Sequence, residues 1–183
     1  MKENVLILYS GGSDSRLMLE IAINGGYEPY CLLINYEQLH HEELKFASEQ
    51  LTKKGINFHE VSINNLKVNS GLTGDGIKND TEVVHSMHVP GRNSIFLSLA
   101  FSVAESKNID TIWIGCDLDD SINLFPDCTQ EYLLKMNEAF KFAGPKPIKI
   151  EAPILGISKN TVNDILRNMD IKIDEVFSGY GNL

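Results

Sequence analysis

The chain has 183 residues, 43% of them hydrophobic and 22% charged, a length that fits one domain and a composition that excludes general disorder. Sixteen Lys and Arg against 25 Asp and Glu leave a formal charge of −9, which repels phosphate backbones and anionic lipid, so neither nucleic acid nor membrane is expected as a partner. No apolar run approaches the roughly 18–20 residues that cross a bilayer, and Met1-Lys2-Glu3-Asn4 lacks a signal-peptide layout, so a soluble, cytoplasmic protein is expected.

Val5 to Tyr9 is a continuous apolar run stopped by Ser10-Gly11-Gly12. Runs of this kind read as strands buried on both faces, the pattern of a parallel sheet. Leu17 and Leu19 to Ala22 carry the first helix, and Cys31 to Ile34 the second strand. Leu44, Ala47 and Leu51 mark the second helix, with Lys53, Lys54 and Gly55 as its stop. Phe58, Val61 and Ile63 give a third strand. After a long polar stretch from Asn64 to Pro90, an apolar-rich helix runs through Ile95, Phe96, Leu99, Ala100, Val103 and Ala104. Thr111 to Gly115 repeats the design of the first strand, and a second polar stretch, Asp117 to Asp127, shows no regular element. Leu133, Met136 and Phe140 then mark a helix, Ile148 and Ile150 a strand, and Val162, Ile165 and Leu166 a final helix.

This alternation predicts a single α/β domain spanning 1–183, a five-stranded parallel sheet with helices on both faces and right-handed crossovers. In such a sheet a ligand sits at the carboxyl ends of the strands. Long loops in a compact domain are usually functional, which draws attention to the two polar stretches.

Ser10-Gly11-Gly12-Ser13-Asp14-Ser15 follows a strand and opens a helix. Glycines there permit positive φ and leave no Cβ in the way, so backbone amides of the turn and of the first helical turn converge on an anion. Ser10 and Ser15 add hydroxyls, and the Asp14 carboxylate either helps hold Mg²⁺ between phosphates or caps the helix. The spacing is neither Walker A nor Gly-x-Gly-x-x-Gly, and its plainer reading is an ordinary strand-to-helix turn.

Asn35 to Glu42, holding Tyr36, Gln38 and His40, follows the second strand, where it can line a nucleotide crevice. In Val89-Pro90-Gly91-Arg92-Asn93, Arg92 supplies a fixed positive charge at a helix start, fit for phosphate or carboxylate, or else a surface ion pair. Asn93 both donates and accepts. Phe125-Pro126-Asp127-Cys128, with Asp117, Asp119 and Asp120 upstream, offers carboxylates for Mg²⁺ or a purine-like heterocycle, or a solvated acidic loop with Asp127 as a cap. Cys31, Cys116 and Cys128 lack Cys-x-x-Cys spacing and read as reduced thiols, Cys31 as a small core residue. His85 and His88 have ligand-like spacing but no evident third ligand, so no metal site is assigned.

In this order the segments resemble the 7-cyano-7-deazaguanine synthases, enzymes of queuosine precursor synthesis in the PP-loop N-type ATP pyrophosphatase superfamily. The likeness rests on the Ser-Gly-Gly-x-Asp-Ser loop, Tyr36, Gln38 and His40, Ser70 to Thr73, Val89 to Asn93, Gly115 with Pro126-Asp127-Cys128, and Ala152-Pro153 with Lys159. It implies an adenine nucleotide alpha hydrolase-like, Rossmann-like fold and an ATP-dependent carbon–nitrogen ligase that converts 7-carboxy-7-deazaguanine and ammonia to the nitrile through adenylated intermediates. It further implies ATP and Mg²⁺ as cofactors, Asp14, Arg92 and Lys159 as catalytic residues, and Ser10, Gly11, Gly12, Ser13, Asp14, Ser15 and Tyr36 around ATP. Gln38, His40, Arg92, Asn93, Asp117, Pro126, Asp127 and Cys128 would then hold the deazaguanine.

The family's usual tail carries four zinc-binding cysteines, and this chain ends about where they would begin, so no structural zinc is expected. Asn35, Glu37 and Leu39 stand where the family pattern reads Asp, Gly and Arg. Two other readings follow from these departures: an enzyme that stops at the amide or passes the acyl group to another amine, and an inactive nucleotide-binding or deazapurine-binding partner. Relatives in the superfamily are commonly dimers, which makes a homodimer the assembly to expect.

Overall fold

The computed structural model describes residues 2–38, 42–64, 89, 91–122, 125–172 and 175–177. Five strands, β1 (Asn4–Leu8), β2 (Glu28–Asn35), β3 (Asn57–Ser62), β4 (Thr111–Trp113) and β5 (Lys149–Glu151), form one sheet in the order β3-β2-β1-β4-β5. Every pairing is parallel, so each connection is a crossover. Among the described residues the helices are α1 (Ser13–Asn24), α2 (Glu42–Lys54), α3 (Arg92–Ser106), α4 (Leu118–Ile122), α5 (Gln130–Phe140) and α6 (Lys159–Asn168). A 3-10 turn, Pro126–Cys128, precedes α5.

The two-residue repeat of a strand sends alternate side chains of β1 to opposite faces. Val5 and Ile7 join Cys31 and Leu33 of β2 and Trp113 of β4 under Leu17 and Leu19 of α1, Leu51 of α2 and Val162 of α6. Leu6 joins Leu32 and Ile112 under Leu97, Phe101 and Ala104 of α3 and Leu133 and Phe140 of α5. Each fully buried Leu or Ile contributes about 2 kcal/mol of transfer free energy, so these two layers carry the fold.

The deeply buried stripe of α3 is Leu97, Ala100, Phe101 and Ala104, at helical spacing, while Phe96, Leu99 and Val103 are half-buried. The acidic stretch after β4, expected to be irregular, contains α4. Its start is fixed by Asp117, whose Oδ1 accepts the Asp120 N–H at 2.8 Å, and five residues are too few to leave a periodic signal. Among the described residues no helix is long and apolar enough to cross a membrane.

Strand order reverses between β1, which continues to β2, and β4 on its other side. Crossovers leave in opposite directions there, and the crevice above the carboxyl ends of these strands is where an open α/β sheet takes its ligand.

Candidate active site

A cavity of about 530 Å³ opens at that crevice, a size that suits a nucleotide-sized ligand. Its floor is the turn after β1. Gly11 has φ +89°, a conformation that a Cβ disfavours, and a methyl there would lie 3.2 Å from Ala47 Cβ. With this turn in place the Gly11 N–H donates to Ser15 Oγ at 3.0 Å, Ser15 Oγ donates to the Gly12 carbonyl at 3.0 Å, and the Gly12 N–H donates to Ser10 Oγ at 3.3 Å. Gly12 caps α1 without a side chain, so no residue of the cap itself covers the free N–H groups of the first turn. Ser10, Gly12, Ser13, Asp14 and Ser15 all line the cavity, and Gly11 supports them from behind.

The wall on the β4 side is electrostatic. Lys159, at the start of α6, donates its Nζ to Asp14 Oδ2 and lies 3.7 Å from Asp117 Oδ2. Its backbone N–H donates to Asp119 Oδ2 at 2.6 Å, which ties α6 to α4. Gly115 lets α1 come this close, since a Cβ would meet Met18 Cε at 3.1 Å and Asp14 Cβ at 3.4 Å. Burial raises the Asp14 carboxyl above its ordinary value, and the Lys159 ammonium opposes that rise only in part. Asp120 is pushed up to about 6 by burial and by the Asp117 charge. Asp14 Oδ1 is buried and has no hydrogen-bond partner among the described residues.

The opposite wall comes from β2, α2 and α3. Tyr36, Gln38, Arg92, Asn93 and Phe96 line it. Tyr36 is buried and hydrogen-bonds to the Arg92 side chain, and its ring lies 5.3 Å from that of Phe96. The Arg92 guanidinium stands 6.0 Å from the Phe96 ring centroid. The Gln38 side-chain oxygen accepts the Tyr36 N–H at 3.0 Å, which folds the loop after β2 back over the strand end. His40 lies outside the described residues.

Of the residues grouped around the heterocycle, Asp117, Pro126, Asp127 and Cys128 stand behind the wall. Asp127 Oδ2 accepts the Asn93 N–H at 3.2 Å, and Asn93 Nδ2 donates to the Asp127 carbonyl at 3.1 Å and to Cys128 Sγ at 3.3 Å. The Pro126–Cys128 turn therefore grips the first turn of α3 and fixes where Arg92 and Asn93 point. Cys128 also hydrogen-bonds to Cys116, and that contact together with burial raises the Cys116 thiol.

Three lining features carry no sequence motif. Glu43, in the first turn of α2, is pushed up to about 7 by burial, with the Ser10 hydroxyl and the Arg92 charge pulling the other way. Val176 and Phe177 close the cavity from the far end of the chain. The Phe177 N–H donates to the Gly11 carbonyl at 2.9 Å, and the buried Arg16 holds this segment through the Glu175 carbonyl at 3.1 Å. Only the acidic start of α2 hinted at Glu43, and nothing in composition or periodicity pointed to Phe177.

Comparison with known proteins places this geometry. The family model described as queuosine biosynthesis protein QueC matches residues 4–182. The 7-cyano-7-deazaguanine synthase of Marinomonas sp. (strain MWYL1) is 33% identical over 187 residues, covering 98% of this chain and 85% of that protein. Among solved structures, the U34-tRNA thiolase NcsA from Methanococcus maripaludis superposes with a TM-score of 0.64 at 18% identity, over 100% of this chain and 62% of that one. NMN synthetase from Francisella tularensis gives 0.58 at 14% identity, over 93% and 63%. At such identities these two share the fold, and the chain spans less than two thirds of their length. A glycine turn after β1, a crevice at the β1/β4 switch and a match along almost the whole chain agree, and the chain belongs to the queuosine biosynthesis protein QueC family.

Proposed function

We propose that this protein is an ATP-dependent carbon–nitrogen ligase that adenylates 7-carboxy-7-deazaguanine and, with ammonia, carries it through the amide to 7-cyano-7-deazaguanine. The observation that carries this reading is the convergence of the Gly11–Ser15 turn, Lys159 and Arg92 on one cavity, in a chain whose relatives are named for that product. A carboxylate oxygen is a poor leaving group and AMP a good one, so adenylation supplies what the carbon–nitrogen bond requires.

In this reading the uncapped amides of the first turn of α1, which follow the glycine turn, grip the β- and γ-phosphates. They stabilise charge that grows as pyrophosphate departs, without any reorganisation at that moment. Lys159, held by Asp14 and Asp117, faces the same charge from the β4 side. Arg92 attracts the substrate carboxylate and orients it toward the α-phosphate, while Tyr36 and Phe96 flank the flat rings. Asn93 offers its side-chain oxygen to the heterocycle as an acceptor, from a position set by Asp127 and Cys128.

Mg²⁺ takes one or two carboxylates together with substrate phosphates, and the orphaned Asp14 Oδ1 beside Asp120 fits that role. When bound, the ion supplies charge neutralisation on the triphosphate. The test is incubation of the purified chain with ATP, Mg²⁺, ammonium and the acid, with products read by mass spectrometry. AMP, pyrophosphate and a nitrile are expected; absence of AMP and of any new deazapurine refutes the proposal. Amide and nitrile differ by one water, so the same spectrum tells whether the second dehydrating step occurs.

A further inference from the structure

Among the described residues three carboxylates line the cavity, and their surroundings differ in kind. Asp14 is paired with the Lys159 ammonium. Asp120 accepts the Asp117 N–H at 3.3 Å and belongs to the same β4-side cluster. Glu43 sits across the cavity on α2, on the side of the neutral Ser10 side chain. The other charged or titratable groups facing it are Arg92 and the Tyr36 phenol. Glu43 therefore stands between the phosphate-binding turn and the cation that faces the substrate carboxylate, where acyl and adenylate groups meet.

From this placement we infer that Glu43 is a catalytic residue, the base that takes a proton from the nitrogen nucleophile at the acyl adenylate. The inference rests on the adenylation reading above and assigns it a residue that no motif supplied. Ammonium has no lone pair and cannot attack. Its proton passes to the Glu43 carboxylate, and the freed pair on nitrogen forms the bond to the acyl carbon. The bond from that carbon to the AMP phosphate oxygen breaks, and its electron pair leaves with AMP. The nitrogen, now carrying one hydrogen too many for an amide, gives it to the departing phosphate, so AMP leaves as the monoanion. Glu43 returns its proton to water after product release. A carboxyl shifted to about 7 is matched to this task, since it is basic enough to compete for the proton and still ionised in a large share of molecules at neutral pH.

Two half-reactions of the full chain separate this role from others. Acid-dependent exchange of pyrophosphate into ATP, run without any amine, reports adenylation alone. Product formation is then compared with ammonium and with hydroxylamine, which is largely unprotonated at neutral pH. For Glu43→Gln, exchange should stay within about threefold of the unsubstituted chain, ammonium-dependent product should fall about 100-fold or more, and hydroxamate formation should stay within about tenfold. Wild-type product formation with ammonium overturns the proposal, as does an equal loss with both amines. Loss of exchange overturns it too, by making Glu43 a support for the Ser10 turn. If glutamine lowers the Tm, Glu43→Ala with added acetate replaces it, and failure of acetate to raise ammonium-dependent product overturns the proposal. An unsubstituted chain that shows no exchange with the acid refutes adenylation itself, which is a different result from any of these.

Discussion

Substituting Gly11 with alanine tests whether backbone conformation holds the amide cradle. Gly11 has φ +89°, and a Cβ built on it lies 3.2 Å from Ala47 Cβ and 3.4 Å from Phe46 Cδ1. The left-handed conformation costs an L residue about 1–2 kcal/mol, and crowding against α2 adds about 1 kcal/mol or more. Alanine recovers about 0.4–1 kcal/mol by stiffening the unfolded chain, so a net loss of about 2 kcal/mol is expected. With a urea m-value of about 2 kcal/mol/M, the midpoint falls by about 1 M at unchanged slope. Gly12→Ala is the internal control. Its φ is −72°, and the nearest atom to a new methyl is Ser10 Oγ at 3.4 Å, so stability should change by less than about 0.5 kcal/mol. Gly12 lines the cavity, however, and a methyl there intrudes on the position proposed for the phosphates, so the KM for ATP in pyrophosphate exchange should rise about tenfold, the equivalent of about 1.4 kcal/mol. If Gly11→Ala unfolds at the wild-type midpoint, the turn is not strained as argued and its amides are not fixed by backbone geometry.

Lys159→Met removes the cation from Asp14 and Asp117. Lys159 is nearly half exposed, so the midpoint of unfolding should barely move, while pyrophosphate exchange falls about 100-fold; exchange within threefold would deny Lys159 a role at the phosphates. Glu43 gives a pH signature. Its carboxyl is raised in the folded state, so the folded protein binds the extra proton and stability falls as pH rises from about 4.5 to about 7. The loss is about 2–3 kcal/mol across that window, and the difference between wild type and Glu43→Gln in urea midpoints at pH 5 and pH 8 should show it; parallel pH curves would contradict the burial argument. Asn93→Ala deletes the bonds to the Asp127 carbonyl and Cys128 Sγ and leaves a buried acceptor unsatisfied, for a loss of about 1–3 kcal/mol in urea unfolding, with a higher KM for the acid; an unchanged KM would show that the Pro126–Cys128 turn does not aim the wall. Arg16→Met keeps the buried stem and removes the clamp on Glu175. Glu20 keeps Lys54 at 3.1 Å as a partner, so the cost is held to about 2–4 kcal/mol, and the 175–177 segment becomes cleavable in limited proteolysis; wild-type protection would rule out the clamp.

Much of the fold was legible because buried parallel strands read as short apolar runs that stop at polar or glycine-rich residues. The run Val5 to Tyr9 becomes β1, with Tyr9 just past its end and its N–H still donating to the Leu32 carbonyl at 2.9 Å. Strand order was not legible, since it depends on which crossover packs on which face, and that is decided by contacts distant in sequence. α4 was missed because Asp117 starts a helix shorter than two turns. The Ser10–Ser15 turn was legible as a glycine turn opening a helix because its parts are contiguous. Its counterpart Lys159 lies 145 positions from Asp14 and could be placed only through family resemblance. Arg16 shows the reverse failure, since a charged residue in a helix reads as solvent-facing. Here it is fully buried, paired with Glu20 at 2.9 Å and turned to hold the far end of the chain.

The balance of charge in the cavity explains why so much of the site is backbone. Among the described residues its wall holds three carboxylates, Asp14, Glu43 and Asp120, against two cations, Arg92 and Lys159. Both cations are already engaged, Lys159 with Asp14 and Asp117 and Arg92 with the Tyr36 side chain. In a protein of charge −9, side chains alone would not make this crevice hospitable to a triphosphate and a carboxylic acid together. Backbone N–H groups escape that conflict. They neither titrate nor form ion pairs with neighbouring carboxylates, and their direction is fixed once Gly11 adopts its turn. The Phe177 N–H completes the arrangement by occupying the Gly11 carbonyl, the one dipole of that residue that would otherwise repel an anion. In the proposed reaction electrostatic attraction at this site is thus stored in main-chain geometry, and side-chain charge is left to orient the carboxylate and to move protons.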